Sequence, residues 1–212
     1  MVMLRNDRRL FRRALDTIQA NRRAYLALNA VLYGSLLVGF GVGLLFPGLT
    51  AAQTESLESG GTADQVRSLL QNPWLFALVI LANNALRAGL LNLVLPSMIV
   101  PFAGIVWYVY TLFTVGLVLA PVDRDGWLVL VPHSLTVVME VQAYVLLALG
   151  VYLLGRAWIR PRVVGAGSRR RAYVTGLRQL GVLSLPALAL LVVFALYEAF
   201  SVVYLVPLLT GG

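Results

Sequence analysis

Long apolar runs alternate with short polar ones along this chain, and their order predicts its elements. Runs at residues 25–46, 74–95, 101–120, 132–154 and 180–209 each approach or exceed the length that a helix needs to cross hydrocarbon. Residues 1–24 read differently. Leu4, Phe11, Leu15 and Ile18 recur at helical spacing among seven arginines, the pattern of an amphipathic helix lying on a membrane surface. The expectation is an all-α, polytopic membrane bundle of five spans (residues 25–212) behind a basic interfacial helix (1–24).

Local signals refine this plan. Gly34, Gly39, Gly41 and Gly43 give the first span small residues for close helix packing. Pro47-Gly48 ends it, and Thr62-Ala-Asp-Gln65 matches a capping box that predicts a short helix over about 63–71. Pro96 and Pro101 predict a tight hairpin between the second and third spans. Trp107, Tyr108 and Tyr110 of the third span read as packing groups. Pro132 suits the first helical position of the fourth span, leaving Trp127–Val131 as an interfacial lead-in. Gly165-Ala-Gly-Ser168 predicts a flexible loop, and Pro186 a kink in the fifth span.

Composition removes several function classes. Of 212 residues 59% are apolar and 12% charged, about half the charged share of a soluble domain. There is no cysteine and one histidine, so thiolate chemistry is excluded and no transition-metal site or cofactor is expected. No nucleotide loop or hydrolase triad is legible, and the chain reads as a non-enzyme.

The seventeen basic residues are all arginine, for a net charge of +8. Their placement argues against nucleic acid, because they flank spans as the positive-inside rule requires. With the N-terminus in the cytoplasm, residues 1–24 and 155–178 put fourteen arginines inside, and Arg67 and Arg124 remain outside among acids. The reading is therefore a multi-pass protein of the cytoplasmic (inner) membrane with its C-terminus outside. Arg8, Arg9, Arg12, Arg13, Arg169, Arg170 and Arg171 are the expected contacts for anionic headgroups or an acidic partner.

Polar residues inside spans are expensive and mark candidate sites. The second span holds Asn83, Asn84 and Arg87, the fourth Glu140, the fifth Glu198; Pro132 and His133 sit at the outer interface. Counting down from that face places Asn83 about 14 Å deep, Arg87 about 20 Å, Glu140 about 12 Å and Glu198 about 17 Å. Those depths predict an Arg87–Glu198 ion pair, with Asn83 bonding near Glu140; an Arg87–Glu140 pair is the alternative. Arg87→Leu is then expected to destabilise the bundle more than Arg67→Leu. His133 and Glu140 share a helical face but stand too far apart for direct acid–base chemistry. Either these groups glue the bundle together, or the acids serve a proton or polar pathway.

Pro132-His133 followed by an intramembrane glutamate, Ala143 and Gly150 resembles the Pro-His-Gly…Glu hallmark of the stage II sporulation protein M family. Leu81-Ala-Asn-Asn84 is similar to that family's asparagine-bearing stretch. Ser134 stands where the hallmark has glycine, and Glu140 falls about three residues late, nearly one helical turn. The resemblance covers about residues 74–154. It implies a non-enzymatic membrane scaffold of a cell-envelope complex, with a cell-wall hydrolase or an AAA-type ATPase system as partner. Self-association is expected from the glycine-rich first span. The competing expectation is a transporter or channel subunit whose pathway is lined by Asn83, Arg87, Glu140 and Glu198.

Overall fold

The computed structural model of the chain describes residues 2–58, 71–121 and 124–210. The capping box and the short helix expected over 63–71 lie outside these, apart from Gln71. Among the described residues all regular structure is helical. Helix α1 (Val2–Ala20) precedes α2 (Arg22–Leu45), and α3 (Pro47–Glu58) follows at once. Helix α4 runs Pro73–Ile99, with a π-helical centre over Asn83–Val94. After α5 (Ala103–Leu119) comes α6 (Arg124–Ile159), and then α7 (Arg169–Phe200), which is prolonged by a π-turn at Ser201–Leu205 and a last turn at Val206–Thr210.

Four of these rods, Arg22–Leu45, Pro73–Ile99, Gly126–Ile159 and Arg169–Leu209, are long and apolar enough to cross a membrane. The chain is a multi-pass membrane protein. Helix α5 is apolar but has 17 residues, about 25 Å of rise.

Three sequence expectations shift. Pro132 does not start the fourth rod; it lies inside α6, which begins at Arg124 and absorbs the expected lead-in. The proline removes one backbone donor, and the apolar residues on either side still keep the helix going. The hairpin between Pro96 and Pro101 is narrower than expected, because α4 stays helical to Ile99. The reversal is made by Phe102 at a positive φ of 70°, a left-handed conformation costly for a side-chain-bearing residue. Its ring closes on Tyr152 (centroids 5.9 Å apart) and covers Gly155. The expected loop at 165–168 is real but short. A 3₁₀ turn (Pro161–Val164) leads to Gly165 at φ 64°, and Ser168 caps α7 by accepting from the Arg171 N–H. Arg169, Arg170, Arg171 and Arg178 are therefore helical.

The packing follows small residues. Helices α2 and α5 run parallel and touch backbone to backbone. A Cβ on Gly39 would lie 2.0 Å from the Phe113 carbonyl oxygen, and one on Gly116 2.0 Å from that of Leu36. Gly34 and Gly41 face open space, so only part of the expected glycine surface is used. Ser35 Oγ donates to the Val109 carbonyl (2.6 Å) along the same seam. Helices α6 and α7 pack antiparallel: Leu180 fills the gap over Gly150, and Leu154 that over Gly176. Helix α6 is central, with nearly every residue from Val141 to Gly155 buried. Tyr25 and Tyr33 of α2 reach it through Gln142 Nε2 donating to Tyr25 Oη (2.7 Å) and Tyr33 Oη donating to the Val138 carbonyl (2.6 Å).

These contacts sort the chain onto two bundle ends. At one end lie α1, the 100–102 reversal, and residues 155–178; Arg156 Nη2 donates to Asn21 Oδ1 (3.1 Å) and Tyr173 Oη to the Met98 carbonyl (3.2 Å). At the other, Trp74 packs edge-on to Phe200 (5.3 Å), and Thr50 of α3 bonds the Leu117 carbonyl (3.2 Å).

Candidate functional site

The face of α6 carrying His133, Thr136, Glu140 and Tyr144 is a polar line in an otherwise apolar core. The spacing of three and four residues stacks these side chains over one another. Helix α7 brings Glu198 and Ser201 to the upper half, and the π-helical part of α4 brings Asn84 to the lower half.

In the upper half, His133 Nδ1 lies 3.8 Å from Glu198 Oε1, with side chains 33% and 18% exposed. Beneath them Thr136 is 1% exposed, and its Oγ1 has no hydrogen-bond partner. The cavity it lines with His133, Glu198 and Ser201 measures about 20 Å³, room for about one water. Tyr197 Oη donates to the Pro132 carbonyl (3.4 Å) and ties the proline turn to α7.

In the lower half, Asn84 Nδ2 donates to Glu140 Oε1. Tyr144 Oη reaches the Asn84 carbonyl (3.4 Å), and its ring packs on Tyr108 of α5 (centroids 4.7 Å). Side chains of α4, α5 and α6 thus meet in one layer around Glu140. An amide hydrogen bond and a flanking phenol are the partners a buried carboxyl group requires where no water competes.

The structure brings together only some of the residues marked in the sequence. Glu140 meets Asn84, where Asn83 was expected. Asn83 is exposed, and its Nδ2 makes only a long 3.5 Å contact with Asn84 Oδ1. Neighbouring residues differ by about 1.5 Å in depth but by about 100° around the helix, so a depth count does not tell Asn83 from Asn84. Arg87 meets neither acid. It is exposed and has no ion pair among the described residues, and Glu198 is paired with His133 instead. The depth count placed Arg87 and Glu198 at similar levels, but depth does not say which side of a helix a residue occupies.

Sequence reasoning passed over Gln142 and Tyr33, and it took Tyr108 as a packing group, which its ring contact with Tyr144 shows it to be. Arg156 was counted as part of a basic stretch, yet it is partly buried, bonded to Asn21 and set 5.8 Å from the Tyr152 ring centroid. An arginine followed closely by Trp158 and Ile159 at a span end was the available signal.

The basic end is a second feature. Arg12, Arg13, Arg169, Arg170 and Arg171 are exposed, while the side chains of Arg8 and Arg9 lie outside the described residues. Arg170, Arg171 and Arg178 line an open groove of about 480 Å³ with Ser168 and Thr175. Cationic forks beside hydroxyls suit phosphate oxygens. Among the described residues no set of three or more His, Asp or Glu is grouped to hold a metal.

Comparison of the chain with protein-family models, curated proteins and solved structures gives no match.

Proposed function

We propose that this protein is a non-enzymatic integral membrane scaffold or assembly subunit of a cell-envelope complex, resident in the cytoplasmic (inner) membrane. The observation that carries this reading is the way its intramembrane polar groups are used. Asn84 of α4 hydrogen-bonds Glu140 of α6, and Glu198 of α7 faces His133 of α6 at 3.8 Å, so both acids are turned toward partners on neighbouring helices. Arg87 stands apart and exposed. The four groups therefore do not border one route, which a transport pathway requires.

The topology that accompanies this reading has five crossings, with α5 as the shortest and residues 2–20 at the cytoplasmic face. The segregation of Arg12, Arg13, Arg22, Arg23 and Arg156–Arg178 to one bundle end supports it, with Arg124 at the other. Anionic headgroups at the Arg170–Arg171–Arg178 groove and a homo-oligomer belong to the same proposal. The resemblance to the stage II sporulation protein M family points the same way, with a hydrolase or AAA-type ATPase system as the partner it implies.

The native chain has no cysteine, so single cysteines placed at 83, 87, 140 and 198 report cleanly on access. Protection of 140 and 198 from a water-soluble thiol reagent added to either side is the expected result. Labelling of all four would replace scaffolding with transport.

A further inference from the structure

Arg87 lies near the midpoint of α4, and Val79, Leu86, Leu90 and Leu91 around it are all exposed. An apolar surface at that depth of a membrane helix faces lipid tails. A guanidinium there is costly on every insertion scale. At its depth of about 20 Å in a hydrocarbon core of about 30 Å, at least about 10 Å still separates Arg87 from the nearer phosphates, beyond the span of one side chain. Asn83, one turn earlier, is exposed too and makes only its long contact to Asn84. Among the described residues the bundle brings no acid to this face: Asn84 bonds Glu140, and Glu198 lies on α7 facing His133 at 3.8 Å.

We infer that Asn83 and Arg87 form the docking point for a transmembrane helix of a different membrane protein, one that carries a carboxylate near its own midplane. Charge complementarity selects the partner's chemistry, because only an anion brought within the bilayer neutralises Arg87 where it stands. A second copy of this chain does not fit, since both of its intramembrane carboxyls are partly buried against its own helices, Glu140 on Asn84 and Glu198 facing His133. Asn83 adds an amide that can bond the other carboxylate oxygen. This rests on the assembly-subunit reading and names the chemistry of its partner.

The probe is a synthetic apolar helix of about twenty residues with one central glutamate, compared with its glutamine counterpart. Association with the full-length protein in phosphatidylcholine vesicles is read by energy transfer. The glutamate helix should bind about tenfold more tightly than the glutamine helix. Arg87→Met should abolish that preference with thermal unfolding unchanged, and Arg87→Lys should retain it. Equal binding of the two helices to the native protein overturns the inference, as does a preference that survives in Arg87→Met. Self-association of the protein that Arg87→Met abolishes would make the occupant a second copy and overturn it equally. A negative result with positions 140 and 198 protected removes this dock and leaves the assembly reading; labelling there removes the assembly reading whatever the helices do.

Discussion

At the scale of single residues, the Asn84–Glu140 bond joins α4 to α6. Interhelical hydrogen bonds in bilayers are modest, because the separated helices also find partners. A double-mutant cycle with Asn84→Ala and Glu140→Ala should therefore give a coupling of about 1 kcal/mol in reversible unfolding from bicelles. Asn83→Ala combined with Glu140→Ala should couple near zero. The reverse order would mean that Asn83 is the partner after all. The sequence marked both asparagines and the glutamate as the polar layer, and that much was legible from their cost in hydrocarbon. Which asparagine bonds was not, because a depth count does not say which side of the helix a residue occupies. Arg87→Leu, expected from the sequence to break a pair, should leave the isolated bundle no less stable, since Arg87 is exposed and unpaired among the described residues. A loss of melting temperature as large as that of Asn84→Ala would refute this.

At the scale of elements, the seam between α2 and α5 depends on absent side chains. Gly39 and Gly116 each let a carbonyl of the other helix approach to where a Cβ would sit. Gly39→Leu must push the two backbones apart and should cost about 2 kcal/mol or more, whereas Gly34→Leu, facing open space, should cost little. Comparable losses at both positions, measured by denaturant titration in micelles, would show that the seam lies elsewhere. The glycine run was visible in the sequence as a packing surface. Which two of its four members touch a neighbour depends on the crossing of α2 with α5, and a periodicity contains no information about that crossing. Helix α6 teaches the same lesson in another way. Its proline reads as a start signal, yet the apolar residues before it extend the helix to Arg124, and packing against α7 outweighs the one missing backbone bond.

For the whole molecule, the arginine distribution and the proposed five-crossing arrangement make one joint prediction. A cysteine at Gly48, exposed in the first turn of α3, should react with a membrane-impermeant maleimide in intact cells, and one at Gly167, exposed before α7, only after permeabilisation. The opposite pattern would invert the proposed orientation, and labelling of both would break the alternation of bundle ends. Substituting Arg170, Arg171 and Arg178 together by glutamine should also reduce the retention of anionic lipid through purification, counted as bound phosphatidylglycerol, more than the loss of Arg124 does. Unchanged lipid retention would remove headgroups as the ligand of that groove.

The sequence by itself determined that the chain is helical and multi-pass, that its first segment is an amphipathic helix, and that most of its arginines fall in two segments, 1–24 and 155–178. Those properties depend on hydrophobic length, period and charge, which are local and additive along the chain. Only the tertiary structure decided that Glu198 sits beside His133, that Asn84 rather than Asn83 holds Glu140, and that Arg87 points away from both acids. Such pairings depend on how helices are rotated about their axes and on where a turn widens. Rotation is set by the interlocking of small and large side chains between neighbours, which no single segment carries.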